Sequence, residues 1–292
     1  MREIIILSGK GGTGKTSITG AFAQLAENKI LCDLDVDAPD LHILLQPEHE
    51  VTEEFFSGHE ARIDQDRCVA CGLCEQVCRF DAVVVEDEQT YRIDPLRCEG
   101  CKVCVQLCPS GAIDFPDRHC GQWYISNTRF GPMVHAQLFP GEENSGLLVS
   151  LLKRKAKALA REKGTELILC DGAPGIGCPV IASLSGADLV VLITEPTPSG
   201  KHDVERVADL CSHFNIPLAG IINKADINQT EANEIASLFR RKQFPLIARL
   251  PHDSVVTKAM VQRKVVTEVE SEMTPILEDA WNKILELAYQ PA

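Results

Sequence analysis

Eight of the thirteen cysteines stand in two runs of identical spacing, Cys68-x2-Cys71-x2-Cys74-x3-Cys78 and Cys98-x2-Cys101-x2-Cys104-x3-Cys108, thirty residues apart in register. Soft thiolates two residues apart can occupy three corners of a four-iron, four-sulfur cube from one tight turn, and the fourth corner must be filled from elsewhere. The spacing argues against the ordinary alternatives. A structural zinc site takes paired ligands closed by a second, separated pair, which leaves the third cysteine of each run without a role. A disulfide framework belongs to an oxidising compartment, and Met1-Arg2-Glu3, followed by only four apolar residues before Ser8 and Gly9, does not resemble a secretory signal. Two 4Fe-4S clusters are therefore expected.

A second chemistry is written at the start of the chain, where Ile4-Ile5-Ile6-Leu7 runs into Gly9-Lys10-Gly11-Gly12-Thr13-Gly14-Lys15-Thr16-Ser17. This is the phosphate-loop pattern G-x-x-x-x-G-K-[ST] in its proper setting, after a β-branched strand and before an apolar helix expected over about Lys15 to Glu27. Its glycines let backbone N–H groups curl around an anion, Lys15 reaches the β and γ phosphates, and the Thr16 hydroxyl can hold Mg2+. The positive end of the helix dipole points at the same phosphates.

With its extra Lys10 beside the first glycine, this loop resembles the deviant phosphate loop of the MinD/ParA family, which includes the Mrp-type cluster carriers and the nitrogenase iron protein. The resemblance implies ATP as the nucleotide, bound by residues 9–17, and a nucleotide-dependent dimer in which Lys10 crosses to the partner's nucleotide. It extends to Asp33-Leu34-Asp35-Val36-Asp37, similar to the family's first switch, where Asp35 would orient the attacking water and Asp33 would sit near the metal and its water shell. Asp171-Gly172-Ala173-Pro174-Gly175 resembles the second switch, with alanine where the first proline often stands. Asp171 would then bind the Mg2+ shell and Gly175 sense the γ phosphate, while Asn223, ending a later strand, would bind the adenine edge. The catalytic set is thus Lys10, Lys15, Asp35 and Asp171. The cysteine runs are in turn similar to those of two-cluster ferredoxins, and that likeness implies crossed ligation. One cluster falls to Cys68, Cys71, Cys74 and Cys108, the other to Cys98, Cys101, Cys104 and Cys78.

These side chains need a scaffold, and the chain alternates apolar strands, near 3–8, 29–34, 166–171, 188–193, 217–223 and 245–249, with helical stretches. That rhythm predicts an α/β fold with a mostly parallel sheet covered by helices on both faces, whose binding sites lie at the strand carboxyl ends. Asp33, Asp35, Asp171 and Asn223 all fall there. The family resemblance covers residues 1–58 and about 119–265, so the ATPase domain is expected over 1–58 and 119–292, with a small α+β ferredoxin-like domain inserted at 59–118. That insert is an internal duplication of strand, cluster loop and strand: Arg62-Ile63-Asp64 precedes the first run as Arg92-Ile93-Asp94 precedes the second. The insert leaves the core shortly after the first switch and returns before the second.

A formal charge of −13 opposes nonspecific binding to nucleic acid. The last helix, about Thr274 to Tyr289, has an apolar face but carries Glu278, Asp279 and Glu286 against one Lys283, which suits docking on its own domain better than a membrane surface. No run of eighteen apolar residues predicts a membrane span, and the protein is read as cytoplasmic. Cys32, Cys170 and Cys211 are expected as buried small hydrophobes, Cys178 as structural, and Cys120 as lying outside a core element. The likeness to the nitrogenase iron protein also raises a bridging cluster at Cys178. His42, His202 and His213 look like ordinary helix or surface residues. The expectation is an ATP-hydrolysing iron–sulfur protein, a homodimer or a heterodimer with a paralogue, passing electrons to a redox protein. The alternatives are an Mrp-type carrier delivering clusters to apo-proteins and a redox-sensing ATPase that recruits a partner.

Overall fold

The structure, a computed structural model, describes residues 1–87, 89–142 and 145–290. It divides into two compact units, Met1–Glu53 with Trp123–Gln137 and Ser145–Ala292, and Glu54–Gln122 with Leu138–Asn144.

The first unit is organised by β1 (Arg2–Ser8), whose Ile4, Ile5, Ile6 and Leu7 are wholly buried. Such an unbroken apolar run suits a parallel strand covered on both faces. Helix α1 (Lys15–Leu25) follows, then β2 (Lys29–Asp33), α2 (Leu41–Leu45) and β3 (Glu48–His59). The second unit contributes β4 (Arg62–Ile63), α3 (Leu73–Val77), β5 (Val83–Asp87), β6 (Thr90–Ile93), α4 (Val103–Leu107) and β7 (Ile113–Asp114). The chain continues through β8 (Asp117–Thr128), β9 (Gly131–Leu138), α5 (Ser145–Lys163), β10 (Leu167–Pro174), α6 (Cys178–Leu184), β11 (Leu189–Thr194) and α7 (Pro198–His213). It ends with β12 (Leu218–Ile222), α8 (Gln229–Arg241), β13 (Leu246–Arg249), α9 (Ser254–Val261) and α10 (Met273–Tyr289).

The large sheet runs β13-β12-β11-β1-β10-β2-β9-β8-β3. From β13 to β9 every neighbouring pair is parallel. Register sets the chemistry: Cys32 lies beside Cys170 and Asp33 beside Asp171, so two acids from distant sequence meet at adjacent strands. Helix α10 buries Met273, Leu277, Trp281 and Ile284, and its Trp281 ring stacks on Phe22 of α1 at 5.2 Å.

Three strands of this sheet, β3, β8 and β9, lie outside the six read from the sequence. The reason is visible in β3, where Glu48, Glu50, Glu53 and Glu54 interrupt the pattern and only Phe55 is buried. An edge strand dressed in charge resists pairing with foreign strands but hides its own periodicity. Strand β10 also continues to Pro174, beyond the expected end at 171.

In the second unit the duplication folds across itself. The first copy supplies β4, α3 and β5, the second β6, α4 and β7, and the strands pair between copies: Ile63 beside Ile113, and Val83 beside Ile93. Its buried core is Ala61, Ala82, Ile93 and Ile113, with Cys74, Cys78, Cys98, Cys104 and Cys108 packed half-buried against it.

Candidate functional site

The phosphate loop wraps the end of β1 and opens α1, with Gly12 and Gly14 at φ +81° and +87°. At Gly14 a side chain is excluded twice over, since a Cβ would also stand 2.5 Å from Asn223 Nδ2. Residues 11–18, Asp35, Pro174 and Asn223 line a cavity of about 410 Å³. Within it Lys15 Nζ lies 2.8 Å from Asp171 Oδ1 and 3.4 Å from Asp35 Oδ2, and only 6% of the lysine side chain is exposed. The Thr16 hydroxyl donates to Asp171 Oδ2 at 2.8 Å.

Charge balance explains the network. Burial lowers the Lys15 pKa, but Asp171, Asp35 and Asp33 outweigh it and leave the ammonium more firmly protonated than usual. Burial raises Asp35 to about 6, with Lys15 pulling down and Asp171 pushing up. Asp33 is pushed well above the carboxylate range by burial and by Asp171. One Asp33 oxygen accepts the Asp35 N–H at 3.1 Å; the other, Oδ2, is buried with no hydrogen-bond partner among the described residues, and Thr13 Oγ1 is in the same position. Orphaned buried oxygens beside a lysine and a curl of backbone N–H groups fit a metal-bound polyphosphate: they are costly alone and satisfied by that ligand.

Other expected site residues have partners the sequence did not reveal. Asn223 Nδ2 donates to the Thr13 carbonyl at 2.8 Å and its oxygen accepts the Lys224 N–H, so the side chain braces the loop and keeps one amide N–H for another acceptor. Gly175, at φ +88°, donates its N–H to the Ser8 carbonyl at 2.8 Å. Lys10 Nζ is held within its own chain, 3.0 Å from Ser199 Oγ, 3.3 Å from Thr197 Oγ1 and 3.8 Å from Glu195 Oε2. Thr19, one turn after Thr16 on the same helix face, donates to Asp171 Oδ1 at 2.8 Å. That i, i+3 relation was the available signal for it.

In the second unit, Cys68, Cys71, Cys74 and Cys108 wall one cavity together with Tyr91 and Ile63. Three thiols of one run and the last of the other thus surround a single space, as crossed ligation requires. Burial raises the Cys74 pKa, with Cys68 and Cys71 adding to it, and burial with Cys98 and then Cys101 raises Cys104 to about 11. Crowded thiols that resist ionising alone suit a cationic iron core, whose charge deprotonates a coordinating thiol. Among the described residues no three His, Cys, Asp or Glu side chains converge on one metal ion. A cube, by contrast, holds its thiolates apart on separate irons.

Of the remaining cysteines, Cys32, Cys170 and Cys211 are buried, as is Cys120, which lies within β8 rather than outside a core element. Its thiol donates to the Ser57 carbonyl at 3.3 Å. Cys178, taken as structural, is instead exposed at the start of α6. His42 lies in α2, and His202 and His213 in α7.

Fold and site together define a P-loop nucleotide-binding protein joined to an iron–sulfur unit. The profile of a 4Fe-4S dicluster domain matches residues 61–115. An uncharacterized protein of Methanocaldococcus jannaschii is 30% identical over 287 residues, covering 97% of this chain and 96% of its own length. A protein of Drosophila ananassae named as a cytosolic Fe-S cluster assembly factor Nubp1 homolog is 25% identical, covering 97% of this chain and 81% of its own. The septum site-determining protein MinD of Pyrococcus horikoshii OT3, solved with Mg-ADP, shares the fold at a TM-score of 0.59 and 16% identity, with 99% and 97% of the two chains covered. The chain belongs to the MinD/ParA/Mrp superfamily of P-loop ATPases and carries a 4Fe-4S domain. No described helix is long and apolar enough to cross a membrane.

Proposed function

We propose that this chain binds and hydrolyses Mg-ATP in the cytoplasm and couples that cycle to electron transfer, through two 4Fe-4S clusters, toward a redox protein. It acts as a nucleotide-dependent dimer of two copies or of one copy and a paralogue. Residues 1–58 and 119–292 are its ATPase domain and residues 59–118 its inserted ferredoxin domain. The observation that carries the reading is the joint presence, in one chain, of the Lys15–Asp171–Thr16 network on a phosphate loop and a cavity walled by four cysteines from both runs.

The loop N–H groups of residues 9–17 and Lys15 hold the phosphates, while Thr16, Asp33 and Asp171 take the Mg2+ ion or its waters. Asp35 orients the attacking water. With a pKa of about 6 it is ionised at neutral pH without being a strong base, and phosphoryl transfer asks chiefly for a positioned water and charge compensation. Gly175 senses the γ phosphate, and Asn223 offers its remaining N–H to the base. Lys10 must leave Ser199 and Glu195 to reach a partner's nucleotide. The clusters supply one-electron carriage, held by Cys68, Cys71, Cys74 and Cys108 and by Cys98, Cys101, Cys104 and Cys78.

Asp35→Ala tests the hydrolytic assignment. Turnover should fall by roughly a hundredfold or more, with nucleotide affinity and iron content kept; wild-type turnover in that variant would overturn it. A second reading, delivery of clusters to apo-proteins, is favoured by the likeness to the Drosophila assembly factor along nearly the whole chain. Crossed ligation by four thiolates favours retention over delivery. Loss of cluster to an apo-acceptor on ATP addition would reverse that preference.

A further inference from the structure

The two cluster loops are near copies, yet one sulfur has a donor that its counterpart lacks. Cys108 Sγ accepts the Ala112 N–H at 3.3 Å and lies 3.6 Å from Ser110 Oγ. Cys78 Sγ accepts the Ala82 N–H at 3.4 Å, and the residue in the place of Ser110 is Phe80, which has nothing to donate. The turn is otherwise the same in both copies, since Asp81 at φ +50° occupies the position of Gly111 at φ +62°. A cysteine bound to iron is a thiolate without a proton, so the Ser110 hydroxyl is the donor in that bond.

Competing influences do not cancel this difference. Solvent access is alike at the two sites: Cys71 and Cys101 are exposed and the other six ligands are half-buried. Arg79, Arg97 and Lys102 flank the second ligand set and are exposed to screening solvent, while half-buried Arg118 donates to the Cys98 carbonyl at 3.1 Å but is neutralised by the Glu142 carboxylate at 2.7 Å. Arg97 lies 3.5 Å from Asp94, and the Lys102 ammonium stands over the Phe115 ring at 5.4 Å. A hydroxyl in direct contact with a ligand sulfur outweighs cations that solvent screens or a carboxylate neutralises and that touch no ligand sulfur.

We propose that Ser110 makes the cluster held by Cys68, Cys71, Cys74 and Cys108 the more easily reduced of the two, so that an electron entering the domain settles there. The inference rests on the electron-carrying reading above. A one-electron donor of the low-potential iron–sulfur or flavin class gives up one electron, no bond breaks and no proton moves. The added charge spreads onto the ligand sulfurs, where a hydrogen bond to one of them stabilises it and raises the potential. Ser110 is a positioning residue that acts through Cys108.

The test is an anaerobic EPR-monitored redox titration of the full-length holoprotein with dithionite, after iron and sulfide analysis. Ser110→Ala should shift the higher midpoint downward and narrow the separation, with the lower midpoint and the iron content unchanged. Ser110→Thr, which keeps the hydroxyl, should retain the wild-type pair of midpoints, and Phe80→Ser should raise the lower one. If Ser110→Ala moves the lower midpoint, or moves neither, the proposal is wrong while the electron-carrying reading stands. Wild-type protein that holds no two cubes, or surrenders them to an apo-acceptor, overturns that reading itself, and does so before any variant is made.

Discussion

The two units of this chain are held together by different physics. The nucleotide unit buries continuous apolar runs on both faces of its sheet, from Ile4 to Leu7 in β1 and from Leu189 to Ile193 in β11, and α10 packs Trp281 against Phe22. Around its cysteines the cluster unit has only a small buried cluster, Ala61, Ala82, Ile93 and Ile113, and its two helices, α3 and α4, are five residues each and bury no residue. At about 25 cal/mol per Å² of apolar surface, so small a core offsets little of the conformational entropy lost on folding. The difference predicts that iron acts as a structural element of the cluster unit and leaves the fold of the nucleotide unit unaffected.

The sharpest way to break that contrast is to remove the iron. Chelation under reducing conditions should unfold the cluster unit, read as proteolytic cleavage or amide exchange confined to about residues 54–122, while the rest of the chain keeps its protection and still binds Mg-ATP. Equal protection of both units in the iron-free protein would show that the small core suffices. A narrower effect is expected at Gly100, which takes φ +59° and where a Cβ would stand 2.4 Å from the His59 carbonyl oxygen. Its counterpart in the first copy, Ala70, sits at φ +53° and already carries a Cβ. Gly100→Ala should therefore cost the second ligand set alone, lowering bound iron by about half, because left-handed backbone costs a non-glycine residue roughly 1–2 kcal/mol even before the clash. Full iron content in that variant would mean that the backbone at His59 yields.

Much of this was legible in the sequence, because cluster ligation and phosphate binding both demand short, local spacings. The cysteine runs and Gly9 to Thr16 are recognisable without any tertiary knowledge, and the six apolar strands follow from buried parallel geometry. What stayed hidden depends on contacts between distant residues. Polar β3 is a strand because of its neighbours in the sheet rather than its own pattern. Asn223 braces the carbonyl of Thr13 across 210 positions, and Lys10 rests on Ser199 and Glu195. The register of Asp33 beside Asp171 is likewise a property of the sheet, although the strand-end rule located both acids. Cys120 looked like a loop residue because β8 was not visible, and Cys178 looked structural because nothing in its local sequence marked it as exposed.

The central claim is that the nucleotide site and the clusters are energetically linked. It is tested most directly by an anaerobic EPR redox titration of the reconstituted protein, alone and with Mg-ATP or a non-hydrolysable analogue. Linkage predicts a nucleotide-dependent shift in the midpoint or spectrum of at least one cluster, and by reciprocity a nucleotide affinity that changes with cluster oxidation state. Superimposable titrations with and without nucleotide would contradict the coupling and leave two independent sites on one chain.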